Sequence, residues 1–196
     1  MDKPFSTAIF FLFLFISIPV NSEAFFDNFN DSAFTADNWF ASPGWSHVKK
    51  SGDDYAYQGI YNSAVDPNPG AGSFAENMRV YEWSDIAIDV LVRIDNAEGD
   101  DDAAGLVFLD DESYEHDCTV QLESNANRFA VWNQGNEIAK TMLNLKTGYW
   151  YRLKVLIDSD GLMDVYLYDA DDNSKLAEMT NLLLTFPFED AHIGIS

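Results

Sequence analysis

The chain has 196 residues, 47% of them hydrophobic and 15% aromatic, with 33 acidic against 11 basic side chains and a formal net charge of −22. That length holds one ordinary domain with a core of its own, and the charge repels a nucleic-acid backbone, so DNA and RNA partners are excluded. A single cysteine, Cys118, excludes an intramolecular disulfide, a CxxC redox pair and a thiolate zinc cluster; its strand-like surroundings predict that it is buried.

At the N-terminus, the apolar stretch from Ala8 to Val20 follows Lys3 and precedes the small, polar run Asn21-Ser22-Glu23-Ala24. This reads as a secretory signal peptide, and it falls short of the roughly 20 apolar residues that cross a hydrocarbon core. The expectation is a leader, residues 1–22, cut after Ser22 or after Ala24. What remains is secreted to an extracellular or periplasmic space, free of the membrane, as one domain over residues 25–196.

Between Phe25 and Arg79 the pattern is loose, broken by Pro43, Pro67, Pro69 and several glycines. From Ile86 it turns regular. Ile86, Ile88, Val90, Val92 and Ile94 share one parity and Asp85, Asp89 and Arg93 the other, a period of two with one buried and one wet face. Cys118, Val120 and Leu122 repeat the pattern, as do Tyr151, Leu153, Val155 and Ile157. Further strand-like runs are 104–109, 128–132, 162–168 and 175–179, with turns rich in Gly, Asp and Asn at 96–102, 110–113, 124–127, 158–161 and 169–173. Short strands at regular spacing with no amphipathic helix predict an all-β fold, an antiparallel two-sheet β-sandwich.

Phe26-Asp27-Asn28-Phe29-Asn30-Asp31, Trp39, Trp45, the block Ala104-Gly105-Leu106-Val107-Phe108, Tyr114, Trp150-Tyr151-Arg152-Leu153-Lys154-Val155, Gly161, Val165-Tyr166-Leu167 and His192-Ile193-Gly194-Ile195 together resemble the concanavalin A-like lectin/glucanase superfamily, in its laminin-G-like jelly-roll branch. The resemblance implies a jelly roll whose concave face or loop rim holds carbohydrate, with calcium nearby. Most matching positions are core hydrophobics and turn glycines, which speak for fold more than for function. Such domains close with a further strand after the Ile-Gly-Ile run. This sequence stops at Ser196, which implies either a shortened sequence or an open sheet edge.

Three sets of candidate site residues follow. Glucanases of this fold share a strand motif Glu-x-Asp-x-x-Glu, which sets acid and nucleophile on one face; Glu115-His116-Asp117 starts it, but Val120 stands where the second glutamate belongs, and the next acid on that face is Glu123. Glu115 and Asp117 are therefore the weaker, catalytic candidates. For calcium, oxygen-rich segments offer Asp27 and Asp31 near the N-terminus and Asp100, Asp101 and Asp102 in the acidic tract. If the strands from Ile86 onward form a simple meander, the loops 95–102 and 169–172 share one end of the sandwich and 110–112 and 158–160 the other, about 20 Å away, so an ion site is built within one end. For sugar, aromatic platforms flanked by amides and carboxylates stack on pyranose rings: Trp45, Tyr55 and Tyr57, and Trp132 with Gln134 close by.

The sequence thus reads as a secreted, acidic, non-catalytic carbohydrate-binding or adhesion module whose partner is a polysaccharide or glycan. Two alternatives stand beside it: a glycan hydrolase or lyase working through Glu115 and Asp117, and a structural domain that binds another surface protein through an exposed apolar patch.

Overall fold

A computed structural model describes residues 27–41, 45–51, 54–59, 75–77, 86–95, 103–110, 118–185 and 191–195. The segment expected to be a leader, residues 1–22, and the candidates Glu115, Asp117, Asp100, Asp101 and Asp102 lie outside these residues.

A short helix, α1 (Ser32–Asn38), precedes β1 (Trp39–Ala41), the pair β2 (Trp45–Ser51) and β3 (Asp54–Gly59), and β4 (Ala75–Asn77). Then come β5 (Ile86–Val92), β6 (Ala103–Asp110), β7 (Cys118–Glu123), β8 (Arg128–Asn133) and β9 (Asn136–Met142). They are followed by β10 (Tyr151–Ile157), β11 (Leu162–Asp169), β12 (Lys175–Leu183) and β13 (Ala191–Ile195). Every described pairing is antiparallel, in a seven-stranded sheet ordered β1-β4-β13-β6-β7-β8-β9, a four-stranded sheet ordered β12-β11-β10-β5, and the separate hairpin β2-β3. The predicted all-β antiparallel sandwich is the observed fold.

The period-two runs explain the layering. In β7, Cys118, Val120 and Leu122 are buried while Thr119, Gln121 and Glu123 are half-buried; in β10, Tyr151, Leu153, Val155 and Ile157 are buried while Arg152, Lys154 and Leu156 are not. The buried parities of the two sheets meet in one cluster. Leu106, Phe108, Val120, Leu122, Phe129 and Val131 of the larger sheet pack with Leu153, Val155, Met163, Val165 and Leu167 of the smaller, the face-to-face arrangement of a sandwich core. Cys118 belongs to this cluster with no exposed surface, as its strand predicts.

The path between sheets departs from the simple meander. Strand β5 pairs with β10, from Ile86↔Ile157 to Val92↔Tyr151, and does not adjoin β6. Alternating polarity sets which face of a strand is buried but not which sheet the strand enters. Connector length carries part of that information: 124–127, 134–135, 158–161 and 170–174 are short and join paired neighbours, whereas 143–150 crosses from one sheet to the other. Direction still reverses at every strand, so the loops do gather by end. Gly148 N–H donates to Ile94 O at 2.7 Å, Leu143 N–H to Asn127 O at 2.7 Å and Ala170 N–H to Trp150 O at 3.3 Å, which ties 94, 127, 143–150 and 170 together. At the opposite end Leu184 N–H donates to Gly161 O at 3.1 Å and Asn133 Nδ2 to Thr185 Oγ1 at 2.9 Å.

The Ile-Gly-Ile segment is not beside an open edge. Strand β13 lies between β4 and β6, with Gly194 opposite Glu76 on one side and Val107 on the other.

Candidate functional site

Strand β8 sends Phe129 and Val131 into the core, and its other parity carries half-buried Arg128 and Trp132 on the outer face of the seven-stranded sheet with Ala130 fully buried between them. Antiparallel register then sets Glu123 opposite Arg128, Gln121 opposite Ala130 and Thr119 opposite Trp132 on β7, while a bulge between Val131 and Trp132 brings Glu137 of β9 opposite the indole. The result is a linked polar group. Trp132 Nε1–H donates to Glu123 Oε1 at 2.9 Å, Gln121 Nε2 to the same oxygen at 3.0 Å, and Arg128 Nε to Glu123 Oε2 at 2.5 Å. Arg128 Nη1 also donates to Glu137 Oε2 at 2.5 Å, Lys140 Nζ lies 2.7 Å from Glu137 Oε1, and the Arg128 guanidinium stands 5.4 Å from the centre of the indole, within cation–π range.

The electrostatics follow from these bonds. Burial raises the pKa of Glu123, but the hydrogen bonds from Gln121, Trp132 and Arg128, with the charge of Arg128, outweigh it and hold the carboxyl below its ordinary value. Glu123 is therefore an ionised acceptor. What it does chemically is fix the edge and angle of a half-buried tryptophan.

Of the residues singled out in the sequence, Trp132 alone joins this group. Gln134 forms the β8-β9 turn with Gly135, both at positive φ (50° and 70°), and its side-chain oxygen accepts from Thr185 Oγ1 at 3.4 Å. Trp45, Tyr55 and Tyr57 belong to the β2-β3 hairpin, with Trp45 opposite Gly59 and Tyr57 opposite His47, and this hairpin shares no ladder with either large sheet among the described residues. Tyr55 is half-buried; its N–H donates to Asn30 Oδ1 at 2.8 Å, and Lys49 Nζ is 6.0 Å from its ring. Lys50 Nζ reaches to 4.3 Å from the ring of Trp150, and Arg93 to 4.9 Å.

Asp27 and Asp31 hold backbone and side chains. Asp27 accepts from Phe29 N–H at 2.6 Å, Thr35 Oγ1 at 3.0 Å and Trp39 Nε1 at 3.0 Å, and Asp31 caps α1 by accepting from Ala33 and Phe34 N–H at 3.0 and 3.2 Å. Calcium takes six to eight oxygens, and among the described residues no three His, Cys, Asp or Glu side chains converge on a point that could hold an ion. The loop acids behave alike: Asp158 accepts from the N–H of Asp160 and Leu162, Asp169 from that of Asp171, and Asp172 from that of Ser174.

Reading along the chain missed the partners of Trp132, because Glu123, Arg128 and Glu137 come together only through cross-strand register. Opposite charges at Glu123 and Arg128, either side of a four-residue turn, were the signal that could have found them. Also missed was the outer face of the four-stranded sheet, where Tyr166 and Tyr168 take the polar parity of β11.

No family model matches the chain, and no curated protein does. Among solved structures it is similar to the carbohydrate binding module CBM66 from Bacillus subtilis, at 15% identity over 80% of this chain and 86% of that one, with a TM-score of 0.56. The likeness is one of fold. A protein of unknown function from Shewanella oneidensis matches at 11% identity over 80% of this chain and 68% of its own, TM-score 0.50, and lectin II from Ulex europaeus at 10% over 63% and 72%, TM-score 0.46. At these identities the likeness to the first two shows the sandwich fold alone, and nothing in it singles out the laminin-G-like branch.

Proposed function

We propose that the protein is an exported, non-catalytic carbohydrate-binding module that takes glycan on the outer face of its seven-stranded sheet. The observation that carries this reading is Trp132: its indole N–H is tethered to Glu123 and its ring lies beside the Arg128 guanidinium, so an aromatic surface is held in one orientation among amide, carboxylate and ammonium groups. An apolar ring face meets the C–H face of a pyranose, and the fixed polar groups around it meet the hydroxyls. The sandwich shared with a carbohydrate binding module supports the same reading.

Within the described part of this face, Glu123 is held ionised and Glu137 is shared between Arg128 and Lys140. That chemistry orients a ligand. The network is closed by protein cations, so the Trp132 face needs no metal ion, and chelation with EDTA is expected to leave glycan affinity at this face unchanged. Calcium enters the reading only through Asp100, Asp101 and Asp102.

The test is titration calorimetry of the full chain against soluble polysaccharides, with Trp132→Ala alongside. Stacking of this kind contributes on the order of 1 kcal/mol beyond area burial, so the variant is expected to bind about tenfold more weakly; because it also loses the bond to Glu123, both chains are titrated well below their unfolding midpoints. Equal affinity in the variant sinks the assignment of the face, and failure of the wild-type chain to bind any glycan sinks the function.

A further inference from the structure

The outer face of the four-stranded sheet carries a second set of features. Strand β12 bulges against β11: Met163 pairs with Leu182 and Val165 with Met179, so Thr180 and Asn181 together oppose Asp164. Asn181 takes a positive φ of 56°, and its N–H donates to Asp164 Oδ1 at 2.8 Å. Beside this bulge lies a hollow of about 340 Å3, at the lower end of the volumes that receive small organic ligands. Ala87 and Leu156 are among its apolar lining residues, and Asp158, Asp164 and Asn181 are its polar ones.

The hollow continues into a row. Alternate residues of a strand share a face about 7 Å apart, so Asp164, Tyr166 and Tyr168 of β11 extend from it over about 13 Å. Tyr166 is anchored by donating its hydroxyl to Asp164 Oδ2 at 3.1 Å. Next to Tyr168 in register is Arg152, whose guanidinium is held flat by Asp89 through Nε (2.8 Å) and Nη2 (2.6 Å) and by Asn173 through Nη1 (3.2 Å). The face carries Arg152, Lys154 and Lys175 against Asp89, Asp158, Asp164 and Glu178, far nearer to balance than a chain whose acids outnumber its bases 33 to 11.

We infer that this face is a second carbohydrate-contacting surface, taking the end of a neutral oligosaccharide in the hollow and its following units along Tyr166 and Tyr168. This deepens the glycan-binding function proposed above and rests on it. The hollow sets apolar surface against the C–H face of a sugar and offers carboxylate and amide oxygens as acceptors for its hydroxyls. Charge names the subclass: two carboxylates at the hollow repel a uronate or sulfated unit there, and in the row beyond Arg152 and Lys175 are already paired with Asp89 and Glu178. Because the two outer faces lie on opposite sides of the core, one short oligosaccharide cannot reach both.

The test follows backbone amide signals of the 15N-labelled full chain during titration with cellohexaose, laminarihexaose and mannohexaose, with oligogalacturonate as the charged comparison. Movement of Leu156, Asp164 and Asn181 with a neutral hexaose supports the second face. Asn181→Gly keeps a residue at ease with positive φ while removing the amide; it is expected to weaken the titration of these signals about tenfold and to leave that of Gln121 and Trp132 unchanged. Signals moving only around Gln121 and Trp132 overturn the second face and leave the glycan function standing. No movement with any probe overturns both, and tighter binding of oligogalacturonate at Asp164 and Asn181 overturns the neutral ligand.

Discussion

Gly105 of β6 lies against the backbone of β7 so closely that a β-carbon there would meet Val120 O at 2.1 Å and Gln121 Cα at 2.7 Å. Both obstacles are backbone, which cannot rotate away as a side-chain tip can. Gly105→Ala is expected to destabilise the fold by about 3 kcal/mol, at the upper end of ordinary overpacking costs, read as a lower urea midpoint at unchanged slope. Glu123 gives a pH prediction. Its folded-state pKa is depressed, so its contribution to stability is complete above the unfolded carboxylate value, near about 4.3, and is lost as pH falls through the lower folded value. Glu123→Gln lacks that charge at every pH. Its deficit against the wild-type chain should therefore be full at neutral pH and shrink on acidification below pH of about 4, as measured by urea unfolding at stepped pH; a deficit that grows on acidification would contradict the assignment.

Among the elements, those with an apolar parity were legible in the sequence: β5, β7, β10 and β11 fall where alternation of Ile, Leu and Val places them. Strand β9 was not, because its less exposed parity is Glu137, Ala139 and Thr141, a small and polar set that no hydrophobic count detects. It is an edge of the larger sheet, and edge strands need only one paired flank. The short helix α1 was missed for a related reason. It is set by its cap and by Asp27 reaching Thr35 and Trp39, and no amphipathic repeat marks it. Asp31→Ala should cost about 1 kcal/mol and speed hydrogen exchange at the amides of Ala33 and Phe34. The bulge in β12 was hidden too, since it depends on Asp164 of the neighbouring strand satisfying Asn181 N–H. Trp132 was singled out in the sequence, but the groups that hold its indole were not: Asn133, next to it, is buried with the core parity, and Gln134 is spent on the turn. Sequence adjacency on a strand means opposite faces; the groups that hold the indole come from across the ladder.

At the scale of the whole molecule, a net charge of −22 on 196 residues makes the compact state repel itself. Screening that repulsion should stabilise the fold: raising sodium chloride from about 10 mM to about 0.5 M shortens the Debye length severalfold, and the unfolding midpoint is expected to rise. A flat or falling midpoint would mean that the local pairs, such as Arg152 with Asp89 and Arg128 with Glu123, contribute more than the global field. The sandwich class was readable from strand spacing, whereas the assignment of β5 to the four-stranded sheet was not, because pairing partners are chosen by packing between layers. The place of β13 bears on how the molecule is made. Among the described strands, β1 and β4 reach the larger sheet through β13 alone, so residues 39–41 and 75–77, though synthesised early, wait for residues 191–195 before they can join it. Until then the flank of β6 that later receives β13 exposes unpaired N–H and C=O groups, ready to accept a strand from any neighbouring chain. The nascent protein is thus most adhesive toward its own kind just before β13 arrives, and refolding yield should fall steeply with protein concentration.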